Sequence, residues 1–223
     1  MGNDVAVSES SIRREALRDP DVRLMLEVRG DSAPAFEELM LRFQGRLVTV
    51  LEHLVGDRDQ AEDLAQEVFL RVYRSRKTYE PGARFSTWLY TIANNVAINA
   101  LRSRSRRREV NLDARGSGPW GASPLERIVQ ASSGQMPARQ LDKVEVRDIV
   151  RAAVGALNDR QRMAVLLSKF EEMSYADIAQ SMQMSPQAIK SLLSRARVNL
   201  REVLQPYLER GDRPAMDKPP NGN

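Results

Sequence analysis

SYADIAQSMQMSPQAIKSLLSRAR, residues 174–197, decides the fold. Ser174 stands where a helix cap belongs, and a second cap-and-proline start, Ser185 and Pro186, follows after one short helix. Two capped helices separated by about three residues have the dimensions of a helix-turn-helix. Ile178, Ala179, Met182, Ile189 and Leu193 fall on the facing sides and predict the wedge between the helices, with small Ala179 at the closest crossing. The outward side of the second helix carries Gln187, Lys190, Ser191, Ser194, Arg195 and Arg197. Arginine and lysine pair with guanine edges and phosphates, glutamine with adenine, so this side suits a major groove. A basic helix can also be merely solvated; the paired caps and tight turn favour DNA. The pattern does not separate a repressor from an initiation factor.

Helical spacing extends toward the N-terminus. Leu141, Val144, Ile149, Val150, Ala153 and Leu157 make one stripe, and Asn158 caps a helix carrying Met163, Val165, Leu166 and Leu167. Upstream of Gln140 the periodicity fails over about forty residues rich in glycine, serine and proline, with at most one brief helix from Ser123 through Val129. That composition is expected of a linker.

Before the linker, four amphipathic helices are expected. The first spans Asp21 to Arg29; the second is capped by Ser32 and closed by Gly56. The third starts near Asp59 and the fourth is capped by Ser86, while Lys77 to Arg84 contains Pro81 and Gly82 and reads as a loop. The fold class is therefore all-α, two small helical domains joined by a flexible linker. The expected organisation is a flexible N-terminus over 1–20, a helical domain over 21–105, a linker over 106–138, a helix-turn-helix domain over 139–208, and a tail over 209–223.

The fourth helix carries a second nucleic-acid signal. Arg84, Phe85 and Trp88 precede Asn94, Asn95 and Asn99, and Arg102, Arg104, Arg106 and Arg107 follow. Aromatic faces stack on unpaired bases, amides read base edges, and arginines hold phosphates. Three asparagines also lower helix propensity, which suggests a use for them. Core packing is the competing reading for the aromatics, favoured at Phe85 and Leu89 and evenly balanced at Trp88. On the third helix, Glu62, Asp63, Gln66 and Glu67 lie opposite the apolar stripe; such a side is commonly just a solvated face, but it would repel a DNA backbone and could serve a protein partner.

Composition narrows the class further. The 223 residues are 42% hydrophobic but only 5% aromatic, and the net charge of +4 conceals segregated acidic and basic runs. Cysteine is absent and His53 is the single histidine, so thiolate sites are excluded, and neither a cofactor nor a metal is expected. Met1 to Asp21 has no apolar signal core and no apolar stretch approaches 18 residues, so a cytoplasmic address without membrane insertion is expected.

Three stretches together resemble the extracytoplasmic-function (ECF) sigma factors of bacterial RNA polymerase. Ala61-Glu62-Asp63-Leu64-Ala65-Gln66-Glu67-Val68-Phe69 is similar to the family's core-binding helix, and Phe85-Ser86-Thr87-Trp88-Leu89-Tyr90-Thr91-Ile92-Ala93-Asn94-Asn95 to its promoter-melting helix. Leu157 to Leu167, Ser174 to Ala179, Lys190-Ser191 and Arg195-Ala196-Arg197 resemble its C-terminal helix-turn-helix. At Gln187-Ala188-Ile189 and Leu192 the chain departs from the family's frequent Gly-Thr-Val and arginine.

The resemblance implies a non-enzymatic subunit that directs core polymerase to promoters and promotes melting. Asp63, Leu64, Gln66 and Glu67 would dock on the clamp coiled coil of the largest polymerase subunit. The Tyr79–Arg84 loop and the Trp88–Asn99 face would capture flipped bases of the −10 element; Lys190, Ser191, Ser194, Arg195 and Arg197 would read the −35 element. An anti-sigma protein is implied as a further partner. The rival from another class is an autonomous helix-turn-helix regulator, which would need dimer symmetry; no dimerisation heptads are visible in the sequence.

Overall fold

The computed structural model describes residues 18–114 and 148–210. The expected N-terminus up to residue 17, the brief linker helix from Ser123, the stripe positions Leu141 and Val144, and the tail from 211 lie outside the described residues.

The first domain contains α1 (Pro20–Arg29), α2 (Ala33–Val55), α3 (Arg58–Arg74) and α4 (Phe85–Ala114). Local chemistry sets their ends. The Asp19 carboxylate caps α1, and the Ser32 hydroxyl accepts the Ala35 N–H of α2 at 3.4 Å. Gly56 ends α2 at φ 76°, a left-handed conformation that glycine adopts without cost, and Asp57 caps α3 by accepting the Gln60 N–H at 2.7 Å. Leu39, Phe43, Leu47, Leu51, Val68, Val72, Phe85 and Leu89 interlock as the core.

A 3₁₀ turn at Arg76–Thr78 occupies the start of what the sequence predicts as a loop. Lys77 and Arg76 reach Asp31 at 2.5 and 2.9 Å, and Lys77 also donates to the Arg29 carbonyl. The two cations, Lys77 before Arg76, hold the Asp31 carboxyl below its ordinary pKa. Arg29 donates to the Tyr79 carbonyl at 3.1 Å. The chain entering α4 is thus tied to the α1–α2 corner.

Two expectations for α4 are corrected. It begins at Phe85, with the Thr87 N–H bonded to the Arg84 carbonyl, so Ser86 lies inside the first turn instead of capping it. It also runs to Ala114, across the domain boundary expected at 105. Arginine and glutamate are good helix formers, and a charged helix without apolar periodicity leaves no trace in a pattern search.

The second domain contains α5 (148–155), α6 (Asp159–Lys169), α7 (Tyr175–Met182) and α8 (Pro186–Arg210). Asn158, Ser174 and Ser185 accept the N–H groups of Gln161, Asp177 and Ala188, the three caps predicted from the sequence. Ile178, Ala179, Met182, Ile189 and Leu193 are all buried, as the expected wedge requires. Val150, read as core, is 44% exposed; Val154 takes the inward position. Gln183 makes the turn at φ 54° without a glycine.

The domains pack against each other, α2 on α6 and α4 on α7. Arg162 sits at this junction. Its guanidinium donates to the carbonyls of Val154, Gly155 and Leu157, fixing the α5–α6 turn, and to Leu54 at the end of α2 at 3.1 Å.

Candidate nucleic-acid interface

Two buried stripes divide α4. Phe85, Leu89, Ala93 and Val96 face their own bundle. Thr87, Tyr90, Asn94 and Ala97, offset by about 100° per residue around the same helix, are also buried, and this side meets the second domain. Between the domains lies a cleft of about 750 Å³. Asn94, Asn95, Asn99 and Arg102 line it from α4; Met163, Met182 and Gln183 stand across.

The residues predicted for unpaired DNA therefore separate. Asn95 and Asn99 are exposed along the cleft wall, Arg84 is exposed at the entrance to α4, and Trp88 is half-buried. The Trp88 ring meets Tyr79 edge-on at 4.9 Å, which fixes its orientation. Asn94 is 5% exposed and faces the cleft only from beneath the second domain. Phe85 is corrected: it is fully buried, packed edge-on against Phe43 at 5.1 Å, because the first inward position of α4 points into the bundle. It is a core residue and does not meet a base.

The arginine run also divides. Arg102 and Arg106 are exposed, whereas Arg104 is half-buried and donates to the Val55 carbonyl at 2.7 Å, closing the end of α2. Arg104 is thereby removed from the set free to hold phosphates; a carbonyl at a helix C-terminus is a natural partner for a cation. The Arg107 side chain lies outside the described residues.

On α8, Gln187, Lys190, Ser194, Arg195 and Arg197 are exposed and Ser191 is half-buried, giving one polar side of a helix set on the wedge. Arg197 donates to the Tyr175 hydroxyl at 3.1 Å, so its guanidinium is oriented before any ligand arrives.

On α3, Asp63 and Gln66 are exposed and Leu64 is half-buried; Glu67 pairs with Arg71 one turn on at 2.7 Å. The sequence reading missed that Leu70 and Tyr73, 50% and 41% exposed, continue this stripe. The placing of Leu70 four residues after Gln66, and of Tyr73 three after Leu70, was the available signal. A mixed acidic and apolar strip of this kind fits a protein surface better than a polyanion.

A polar joint at the domain boundary was also missed. Glu171, in the α6–α7 connection, has a side chain only 1% exposed and pairs with Arg46 of α2 at 2.5 Å. The Tyr90 phenol faces the same carboxylate. Burial first, and that negative charge second, push its pKa well above the ordinary tyrosine value. His53 lies 5.7 Å from the Phe170 ring, and burial, then nearby Arg151, lowers its pKa.

A sigma-70 region 2 family model matches residues 39–107, and a sigma-70 region 4 model matches residues 147–200. The RNA polymerase sigma factor CarQ of Myxococcus xanthus is 36% identical over 180 residues, covering 81% of this chain and 95% of its own. The chain belongs to the ECF sigma factors. The RNA polymerase sigma-H factor of Pseudomonas aeruginosa is 30% identical over 192 residues, covering 86% of this chain and 97% of its own. The fold is also that of the Bartonella quintana sigma factor RpoE solved with the anti-sigma factor NepR. That match has a TM-score of 0.56 and 26% identity, over 76% of this chain and 96% of that one. As a sigma factor it directs core RNA polymerase to promoter DNA. Among the described residues no helix is long and apolar enough to cross a membrane.

Proposed function

We propose that this sigma factor divides promoter recognition among three surfaces. The α3 strip of Asp63, Leu64, Gln66 and Glu67, extended by Leu70 and Tyr73, docks on the clamp coiled coil of the largest polymerase subunit. Asn95 and Asn99, with Trp88 and Arg84 beside them and Arg102 beyond, take up unpaired bases and backbone of the −10 element. The exposed side of α8, Gln187, Lys190, Ser191, Ser194, Arg195 and Arg197, reads the −35 duplex.

The observation that carries this reading is the placement of the α4 amides. Asn95 and Asn99 stand outside the core, along a single wall that ends in Arg102. A displaced strand needs base-edge partners and a cation for its phosphates on one continuous face, and this wall supplies them. Polymerase fixes the separation of the two domains, so the second contact becomes intramolecular and gains avidity. The sigma factor contributes base selection and strand capture, while nucleotide addition belongs to the polymerase. The place of action is the cytoplasm, and an anti-sigma protein, such as RpoE has in NepR, is a further partner.

The docking assignment is tested with Asp63→Arg combined with Glu67→Arg. Both side chains reach solvent, and the exposed Glu67–Arg71 pair is worth only about 0.3–0.5 kcal/mol, so the fold survives. Co-purification with core polymerase should be lost while helical content is unchanged. Undiminished co-purification would refute the assignment.

A further inference from the structure

The approach to α4 is anchored by residues that the three surfaces leave unused. The α1–α2 corner places its left-handed residue at Asp31, φ 69°, and not at the neighbouring Gly30, φ −80°. Glycine adopts that conformation without cost and aspartate less readily, so a carboxylate at this point has a use of its own. It collects two cations of the 3₁₀ turn, Lys77 Nζ at 2.5 Å and Arg76 Nε at 2.9 Å. Lys77 donates in addition to the Arg29 carbonyl, and Arg29 donates onward to the Tyr79 carbonyl at 3.1 Å. Asp31 and Lys77 are largely exposed, and exposed ion pairs add little stability. What they fix is a position.

Tyr79 is the residue whose place they set. Its ring is buried and meets Trp88 edge-on at 4.9 Å. Among the described residues its hydroxyl has no hydrogen-bond partner, so the backbone tie and packing hold the ring. Exposed Glu80, Gly82 and Arg84 follow, with buried Pro81 between them. We propose that Asp31 and Arg29 are positioning residues for −10 recognition. They fix the Tyr79 backbone, and through it Trp88 and the 80–84 segment, in the place from which an unpaired base is selected. The proposal rests on the assignment of Trp88 and Arg84 to the −10 element. Side chains that select a ligand must be held to about 0.5 Å, and supporting hydrogen bonds supply that. A carboxylate repels phosphates, so Asp31 serves DNA only through the residues it holds.

The test uses holoenzyme assembled with saturating core polymerase. Opening is followed on a promoter selected from a library randomised across the −10 element, and on the same promoter with its −10 bases changed one at a time. The ratio of opening rates reads base selection; a variant that merely folds less well lowers all rates alike and leaves the ratio unchanged. Asp31→Gly removes the acceptor and Asp31→Asn only its charge, and both residue types accept φ 69°. At the base the loop reads, the ratio should fall about fivefold for Asp31→Gly, the lower end of what one good base contact contributes. It should fall less for Asp31→Asn. Arg29→Ala, which frees the Tyr79 carbonyl, should lower it as Asp31→Gly does.

On charge alone, loss of an exposed carboxylate strengthens DNA binding on every promoter equally. That result, or an unchanged ratio in Asp31→Gly, would overturn the corner as a positioning device. An unchanged ratio in Arg29→Ala would overturn it as well. Trp88→Ala separates this proposal from the assignment beneath it. Selectivity lost with Trp88→Ala but kept with Asp31→Gly refutes the corner alone; selectivity kept in both removes the −10 assignment too.

Discussion

Arg162 shows how much one side chain can hold. Its guanidinium satisfies four carbonyls, three in its own domain and one at the end of α2, and burial lowers its pKa. Lysine keeps the charge but has three donors on a flexible stem, in place of five on a planar fork. Arg162→Lys should therefore leave carbonyls unpaired and cost about 1.5–3 kcal/mol in urea unfolding, the range for hydrogen bonds to charged groups. An unchanged midpoint would mean the bonds contribute nothing. Residues of this kind were hidden in the sequence. Arg162 and Leu54 lie 108 positions apart, and Arg46 and Glu171 lie 125 apart. An arginine in a basic helix and a glutamate in a loop look like ordinary surface charges until the chain is folded. Phe85 failed for a related reason: an aromatic ring at a helix start suits a core and a base equally, and Phe43 decided between them.

At the scale of the element, most of the fold was legible because helix ends are a local matter. Ser32, Asn158, Ser174 and Ser185 each accept an N–H from their own helix, and neither a distant residue nor the other domain alters that. The length of α4 was not legible, since its charged extension has no apolar stripe to count. Its second buried face was visible in principle, as Thr87, Tyr90, Asn94 and Ala97 recur at helical spacing; a threonine and an asparagine among them disguised it. The amides give a sharp test of what α4 does. Asn95 and Asn99 are exposed, and asparagine is a poorer helix former than alanine by up to about 0.7 kcal/mol per residue. Asn95→Ala with Asn99→Ala should hold or raise the melting temperature while reducing open-complex formation more than closed-complex binding. A stabler protein that opens promoters normally would reduce the two amides to surface filling.

For the whole molecule, the two domains make sense as separate grips whose spacing is set from outside. The helix-turn-helix offers a polar face built on a tight wedge; the first domain offers amides along a cleft and an acidic, apolar strip that the proposal assigns to holding a protein. On the proposed reading both DNA surfaces rely in part on phosphate contacts, which salt weakens. Selectivity for an opened promoter then requires polymerase as the frame that engages both at once. Fluorescence from 2-aminopurine placed at the −10 element of a duplex promoter tests this directly. Opening should appear only when core polymerase and this sigma factor are both present, and should fall when either the −35 or the −10 sequence is scrambled. Tight, sequence-specific duplex binding by the sigma factor alone, with no opening when core is added, would contradict it.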